Sequence, residues 1–227
     1  MPTAAEPGAI EVALPKGPVT VSTLFTPAAR PWAAVALAHG AGAGMAHPFL
    51  DGVAGALAEA DVAVLRFAFP YAEAGRRMPG PAAHAVATWR AVMPVLGALV
   101  PGAPLVAAGK SYGGRMASMA AAEGAIAPAG LVYLGYPLHP PGEPEKLRAS
   151  HLPRVAAPQL FVTGTRDPFV QPVSQLEEVV AACSDAAIAW IEGGGHSFEI
   201  AGARRAPEVI GADVAASVLP WLRTRFT

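Results

Sequence analysis

The chain has 227 residues, enough for one large domain or at most two small ones. Apolar residues make up 53% of the sequence and charged residues only 15%, which excludes an intrinsically disordered chain and favours a large packed core. The formal net charge of −1 provides no basic field for nucleic acid or for an anionic membrane, so neither is expected as a partner.

Three further features concern the cellular setting. The first ten residues, MPTAAEPGAI, lack the basic and apolar regions of a signal peptide. Cys183 is the only cysteine, so no intrachain disulfide can form, as in a reducing compartment. The longest uncharged stretch, AVMPVLGALVPGAPLVAAG, contains three prolines and indicates a helix, a turn and a strand, not a membrane span. We therefore expect a cytoplasmic protein.

The element pattern changes after the first 30 residues. AIEVALP and GPVTVSTLFTP predict two short strands around a turn, an edge hairpin. From residue 32 onward, apolar runs typical of strands buried on both faces alternate with segments of helical spacing. The predicted strands are WAAVALAHG, VAVLRFAF, PLVAAG, GLVYLGYPL, QLFVTGT and AAIAWIEGG. The predicted helices are HPFLDGVAGALAEA, AAHAVATWRAVMPVLGALV, GRMASMAAAEG, PVSQLEEVVAACS and APEVIGADVAASVLPWLRTRF.

This alternation predicts an α/β fold, a mostly parallel twisted sheet covered by helices on both faces. No internal repeat and no linker divides the chain, so we expect a single domain over residues 1–227. In an open parallel sheet, reactive groups gather beyond the C-terminal ends of the strands. That rule separates candidate functional residues from structural ones.

The segment AAGKSYGG, residues 107–114, fits two unrelated motifs. A phosphate-binding loop, G-x-x-x-x-G-K-[ST], would need glycine at position 104, which is proline, and the strand PLVAA occupies the positions of its glycine-rich cradle. A nucleophile elbow, G-x-S-x-G, needs a strand, a serine between two small residues, and a helix. Gly109, Ser111 and Gly113 meet that requirement, so the segment favours a nucleophilic serine.

A nucleophilic serine needs a base, and the base needs an acid that orients it. Asp167 is the one aspartate that directly follows a predicted strand, and Glu192 is a weaker substitute. Among the six histidines, His196 follows the last strand on a glycine turn, while His139 is a reserve base. The order Ser111, Asp167, His196 is the order found in hydrolases with a nucleophile elbow.

Two backbone N–H groups are expected to hold the negative oxygen of the reaction intermediate. One belongs to Tyr112, the residue after the nucleophile, and the other to Ala41 or Gly42 in the loop HGAGAGM. The chain has no H-E-x-x-H motif and no cysteine pair, so we expect neither a metal nor a cofactor.

Five segments in matching order carry a resemblance to a known family: LAHGAGAGMAHPFL, GKSYGGRMAS, LGYPLHPPGEPEKLR, LFVTGTRDPF and EGGGHSF. With them, the chain resembles the α/β-hydrolase superfamily, and more narrowly the small bacterial hydrolases related to dienelactone hydrolase, a branch that also contains animal proteins. The resemblance implies Ser111 as nucleophile, Asp167 as acid and His196 as base. Dienelactone hydrolases proper carry cysteine at the nucleophile position, so Ser111 favours a serine esterase.

The expected substrate is a small or accessible carboxylic ester. Residues 137–158, between the sixth and seventh strands, are too few for a separate cap domain, so the site is expected to be open. The segment YPLHPPG is a candidate wall of the site, with Tyr136, Leu138 and His139 as substrate contacts.

Other assignments stay open at the level of sequence. Arg76 and Arg77 fall at the same edge of the sheet, where a solvated pair is favoured over contact with a substrate carboxylate. The fold could serve as a non-catalytic binding scaffold, or the same triad could cleave an amide or a C–C bond. The sequence does not determine the oligomeric state or the physiological substrate.

Overall fold

The computed structural model describes residues 5–227, which form eight strands and six α-helices. The strands are β1 (Glu6–Val12), β2 (Val19–Thr26), β3 (Ala33–Ala38), β4 (Val62–Phe67), β5 (Leu105–Lys110), β6 (Gly130–Leu134), β7 (Gln159–Gly164) and β8 (Ala186–Ile191). The helices are α1 (Pro48–Glu59), α2 (Pro70–Glu73), α3 (Ala82–Leu99), α4 (Tyr112–Ala122), α5 (Val173–Ala181) and α6 (Pro207–Phe226). The four-residue helix α2 was not predicted, because one turn is too short to show a helical period.

The eight strands form one open sheet in the order β1-β2-β4-β3-β5-β6-β7-β8. The predicted hairpin β1–β2 is antiparallel, as is the pair β2–β4, and the pairs from β4 through β8 are parallel. The chain leaves β3 toward one side of the sheet and returns to the other side as β5. The C-terminal ends of β3 and β5 therefore meet at a topological switch point, where ligands bind in open α/β sheets.

The sheet is buried on both faces, which is why its central strands are apolar along their whole length. All six residues of β3, of β4 and of β7 are buried. One face packs against α3, α4 and α5, with Trp89 and Met116 fully buried there. The other face packs against α1 and α6, where Leu50 and Leu222 belong to the same cluster. The predicted α/β fold is confirmed, and no large cap covers the sheet edge.

Helix α3 is long and apolar enough, by length and composition, to cross a membrane. Length and composition do not separate a membrane span from the core helix of a globular domain. Here Trp89, Val92 and Leu96 pack one face of α3 into the core. Pro94 lies inside this helix and does not interrupt it. Pro101 lies in the turn that follows the helix.

Helices α1 and α6 cross in direct backbone contact. A Cβ atom added at Gly52 would overlap the carbonyl of Glu208, and one added at Gly211 would overlap the carbonyl of Phe49. The two glycines therefore set the distance between the helices. The first turns of α1 and α6 lie near the end of β5.

Gly211→Ala is expected to lower the free energy of unfolding by about 1–3 kcal/mol, because the new methyl group forces α1 and α6 apart. Urea unfolding followed by circular dichroism measures the change. Gly55→Ala on α1 is the matched control: its Cβ would meet no atom within 4 Å, and it should stabilise the protein by about 0.5–1 kcal/mol. Equal effects of the two variants would contradict the packing explanation.

Candidate active site

Ser111 lies in a strained turn between β5 and α4. Its backbone has φ 48° and ψ −112°, in the region of positive φ that residues with side chains rarely adopt. Such a conformation costs on the order of 1–3 kcal/mol and persists only where the surroundings impose it. The Ser111 N–H donates to the carbonyl of Leu134 at the end of β6 at 3.0 Å, which ties the turn to the sheet.

The glycines of G-x-S-x-G allow the close approach that produces this turn. A Cβ atom at Gly109 would overlap the backbone of Gly113 and Gly114. A Cβ atom at Gly113 would lie 2.6 Å from the carbonyl oxygen of His39 and 2.7 Å from Cβ of Ala38. Helix α4 thus begins in contact with both β5 and the end of β3, and only glycine fits between them.

The structure brings Ser111, His196 and Asp167 together. Nε2 of His196 lies 2.9 Å from Oγ of Ser111, and Nδ1 of His196 lies 2.8 Å from Oδ2 of Asp167. Asp167 is fully buried, and its Oδ1 accepts a hydrogen bond from the N–H of Phe169 at 2.9 Å. With both oxygens engaged, the carboxylate is fixed in one orientation toward the imidazole. This arrangement is that of a nucleophile, a base and an orienting acid.

The turn after β8 carries His196 and packs closely against the turn after β7. The N–H of Arg166 donates to the carbonyl of Gly194 at 2.9 Å, which joins the two turns. The rings of Phe169 and His196 lie 4.2 Å apart between their centroids. These contacts hold the base and the acid in one unit beyond the ends of neighbouring strands.

Burial lowers the pKa of His196, and the carboxylate of Asp167 opposes that shift. The ammonium group of Lys110 adds to the lowering. The imidazole is therefore neutral near pH 7, with its proton on Nδ1 toward Asp167. That tautomer leaves the Nε2 lone pair free to accept the proton of the Ser111 hydroxyl.

Two of the three residues expected to supply oxyanion donors have a free N–H at the site. Tyr112 is the first residue of α4, so its N–H has no intrahelical partner. The N–H of Ala41 has no acceptor among residues 5–227, and Ala41 lines the cavity beside Ser111. The N–H of Gly42 instead donates to the carbonyl of Arg77 at 3.1 Å, so Gly42 shapes the loop and Ala41 is the better donor.

The side chain of His39 anchors the loop after β3, which contains Ala41, by hydrogen bonds. It is fully buried; its Nδ1 lies 2.8 Å from the carbonyl oxygen of Gly40, and its Nε2 accepts from the N–H of Phe69 at 3.1 Å. Because the second partner is a donor, the ring must be neutral with its proton on Nδ1, in keeping with a pKa lowered by burial. The His39 side chain thus fixes Gly40, the residue before Ala41.

A cavity of about 310 Å³ opens beside Ser111 and His196. Its floor is formed by the loop after β3 and by the nucleophile turn, and its walls by the first turns of α1 and α6. The wall residues from those two helices are apolar: Phe49, Leu50, Pro207 and Ile210. Charged side chains reach the cavity as well: Lys110, Glu199 and Arg205.

Tyr136, Leu138 and His139 do not line this cavity. All three are fully buried, and the hydroxyl of Tyr136 donates to the carbonyl of Arg148 at 2.9 Å. The N–H of His139 donates to the carbonyl of Phe169 at 3.2 Å. The three candidate contacts therefore belong to the core and not to the wall of the cavity.

The remaining candidates lie outside the triad. Glu192 is exposed, and its side chain accepts from Oγ1 of Thr165 at 3.4 Å, not from His196. Arg76 and Arg77 are exposed and do not line the cavity. Sequence reasoning missed the wall from α1 and α6, because no local pattern shows which helix ends meet at the sheet edge. It also passed over Lys110, although this residue stands inside the G-x-S-x-G motif.

Fold and site together define an α/β hydrolase. A family described as "Alpha/beta hydrolase domain" matches residues 31–210, and the chain belongs to that family. The chain superposes on a dienelactone hydrolase from Anabaena variabilis with a TM-score of 0.75 and 21% identity, covering 98% of this chain and 99% of that one.

Two other solved structures are similar. One is an α/β serine hydrolase without a lid from Xanthomonas campestris, with a TM-score of 0.69, 19% identity and coverage of 97% and 96% of the two chains. Another is a thermophilic esterase from Thermogutta terrifontis, with a TM-score of 0.72, 17% identity and coverage of 98% and 100%. These neighbours share the fold. The family match supports a hydrolase.

His39→Phe should lower the free energy of unfolding by about 1–3 kcal/mol, because the buried N–H of Phe69 loses its acceptor while the ring volume is kept. Chemical denaturation measures the difference. His84→Phe on α3 is the control, since the His84 ring makes no hydrogen bond within residues 5–227 and should change stability by less than about 0.5 kcal/mol. A His39→Phe variant as stable as the wild type would show that the two hydrogen bonds are dispensable.

Proposed function

We propose that this protein is a serine hydrolase that cleaves small or accessible carboxylic esters through an acyl-enzyme. The observation that carries the proposal is the hydrogen-bonded chain from Ser111 through His196 to Asp167, with distances of 2.9 and 2.8 Å. These distances fall within the range in which a base takes a proton from a hydroxyl. The serine, the base and the acid follow three different strands, as the fold requires.

In the first half of the reaction, Nε2 of His196 takes the Ser111 proton while Oγ attacks the ester carbonyl carbon. The carboxylate of Asp167 stabilises the imidazolium that forms. The N–H groups of Tyr112 and Ala41 donate to the oxyanion, and each such donor contributes about 2.7–4 kcal/mol to the transition state. The imidazolium then gives its proton to the alcohol oxygen as the C–O bond breaks, which leaves Ser111 acylated.

In the second half, water takes the place of the alcohol. His196 removes a proton from the water, the hydroxide attacks the acyl carbon, and the same N–H groups hold the second oxyanion. Collapse of that intermediate returns the proton to Oγ of Ser111 and releases the carboxylic acid. No group outside the chain takes part in these steps, apart from water and the substrate.

The shape of the cavity supports esters of modest size. Its volume of about 310 Å³ lies at the lower end of the range of roughly 300–1,000 Å³ found for small-molecule sites. The apolar wall of Phe49, Leu50 and Ile210 suits the acyl chain, since apolar side chains line most small-molecule sites. An amide or a C–C substrate would use the same triad, so a substrate panel decides between these reactions.

Ser111→Ala should abolish labelling by a fluorophosphonate probe and lower kcat for p-nitrophenyl acetate by about 10³-fold or more, because the nucleophile is lost. His196→Ala should lower kcat by a similar factor. Ser150→Ala, at an exposed serine far along the chain, is the matched control and should label and turn over like the wild type. Acyl lengths from acetate to decanoate, an anilide and a 1,3-diketone then define the bond cleaved.

Two outcomes would count against this function. If the wild type neither labels nor hydrolyses any member of the panel, a non-catalytic binding scaffold becomes the better explanation. If labelling survives in Ser111→Ala, another residue is the nucleophile.

In a plot of kcat/KM against pH, the loss of activity on the acid side should have its midpoint below about pH 6.5, the ordinary pKa of histidine. We call this loss the acid limb. Catalysis needs neutral His196, and burial lowers the pKa of this group, so activity should persist as the pH falls from 7 and fail only below the shifted pKa. Rates with p-nitrophenyl acetate between pH 4 and 9 measure the limb. An acid limb clearly above 6.5 would contradict the neutral, buried base.

A further inference from the structure

Lys110, the residue just before Ser111, has no part in the mechanism above, yet its side chain reaches the centre of the site. Its Nζ donates to the main-chain carbonyl of His196 at 2.8 Å and lies 5.6 Å from the centroid of the Phe198 ring. A Cβ atom added at Gly135 would lie 3.2 Å from this Nζ and 3.5 Å from Cε1 of His196. The ammonium group and the imidazole therefore pack around the same point at the end of β6.

This hydrogen bond joins the base to the nucleophile by a second route. Within residues 5–227, the carbonyl of His196 has no hydrogen-bond donor other than Lys110. Lys110 ends β5 and is covalently bonded to Ser111, so its side chain spans from the nucleophile turn to the backbone of the base. The bond therefore restrains the turn after β8 relative to the nucleophile turn.

The charges around Lys110 bear on the imidazole as well. Asp167 and Glu199 are the carboxylates that act on its ammonium group, and His47 and Arg205 are the other titratable or cationic side chains that line the same cavity. Burial lowers the pKa of Lys110 to about 8, so the group is mainly an ammonium ion at neutral pH. A positive charge beside His196 disfavours protonation of its ring.

We propose that Lys110 is a positioning residue with two separable effects on the triad. Its ammonium group donates a hydrogen bond to the carbonyl of His196 and so holds the base at hydrogen-bonding distance from Ser111. Its charge adds to burial in disfavouring protonation of the imidazole. The inference rests on the proposed serine hydrolase function, and it explains why a charged side chain occupies the variable position before the nucleophile.

The first test compares Lys110→Met, Lys110→Arg and Lys110→Gln with the wild type. Met keeps the length of the stem but removes both donor and charge, so kcat should fall by about tenfold to a hundredfold, as expected for a misplaced base. KM should stay near the wild-type value, and the acid limb of kcat/KM should move to higher pH. Gln keeps an N–H donor without charge, so its acid limb should shift while its kcat falls less than that of Met.

The Arg variant is the rescue, because it restores both donor and charge. It should return the acid limb to the wild-type position and recover part of kcat. Lys16→Met, at an exposed lysine in the β1–β2 turn, is the control and should match the wild type in every readout. Thermal unfolding checks that each variant folds. If Lys110→Met does not fold, the comparison of Lys110→Gln with Lys110→Arg tests the proposal.

Two results would overturn the proposal. A folded Lys110→Met variant with wild-type kcat and acid limb would show that the side chain only fills space. A rise in KM with kcat unchanged would show that Lys110 binds substrate and does not position the base.

A second measurement does not depend on activity. Titration of the His196 imidazole by NMR, assigned with His196→Asn, should give a higher pKa in Lys110→Met than in the wild type. Equal pKa values would refute the effect of the charge. If the wild type proves inactive on every substrate, the proposed hydrolase function fails. The titration would still show whether the charge of Lys110 lowers the pKa of His196, because it does not depend on activity.

Discussion

The site depends on the backbone contact between the end of β5 and the start of α4. No Cβ atom fits at Gly109, which lies against the backbone of Gly113 and Gly114, or at Gly113, which lies against the end of β3; between them Ser111 adopts φ 48°. The strained backbone of Ser111 is held in place by the core, because β5 is paired with strands on both sides and α4 packs on the same sheet. The serine consequently projects from a rigid point at the switch between β3 and β5, with an unpaired helix N–H beside it.

Electrostatics at this point follow from burial. Asp167 is fully buried and held by the N–H of Phe169, so its charge acts on His196 without solvent screening. The ammonium group of Lys110, which donates to the main-chain carbonyl of His196, carries the opposite charge. His196 thus experiences one group that favours its protonated form and one that disfavours it, a balance that suits the proton transfers proposed for it.

The cavity beside Ser111 is shaped by the packing of helices α1 and α6. The contact between Gly52 of α1 and Glu208 of α6 brings the first turns of these helices beside Ser111, where they form the apolar wall. Tyr136 and His139, by contrast, are buried in the core and do not reach the cavity. The cavity therefore opens toward α1 and α6, with no cap domain above it.

The sequence by itself determined the order of strands and helices, the nucleophile turn and the three residues that meet in the triad. These features are local: apolar runs mark buried strands, glycines mark the elbow, and each polar residue follows its own strand. Tertiary structure alone decided that the N–H of Ala41, and not that of Gly42, is free. It also decided that Tyr136 is buried and that Lys110 contacts His196, 86 positions further along the sequence. Such contacts depend on how distant turns pack at the sheet edge, which no local periodicity encodes.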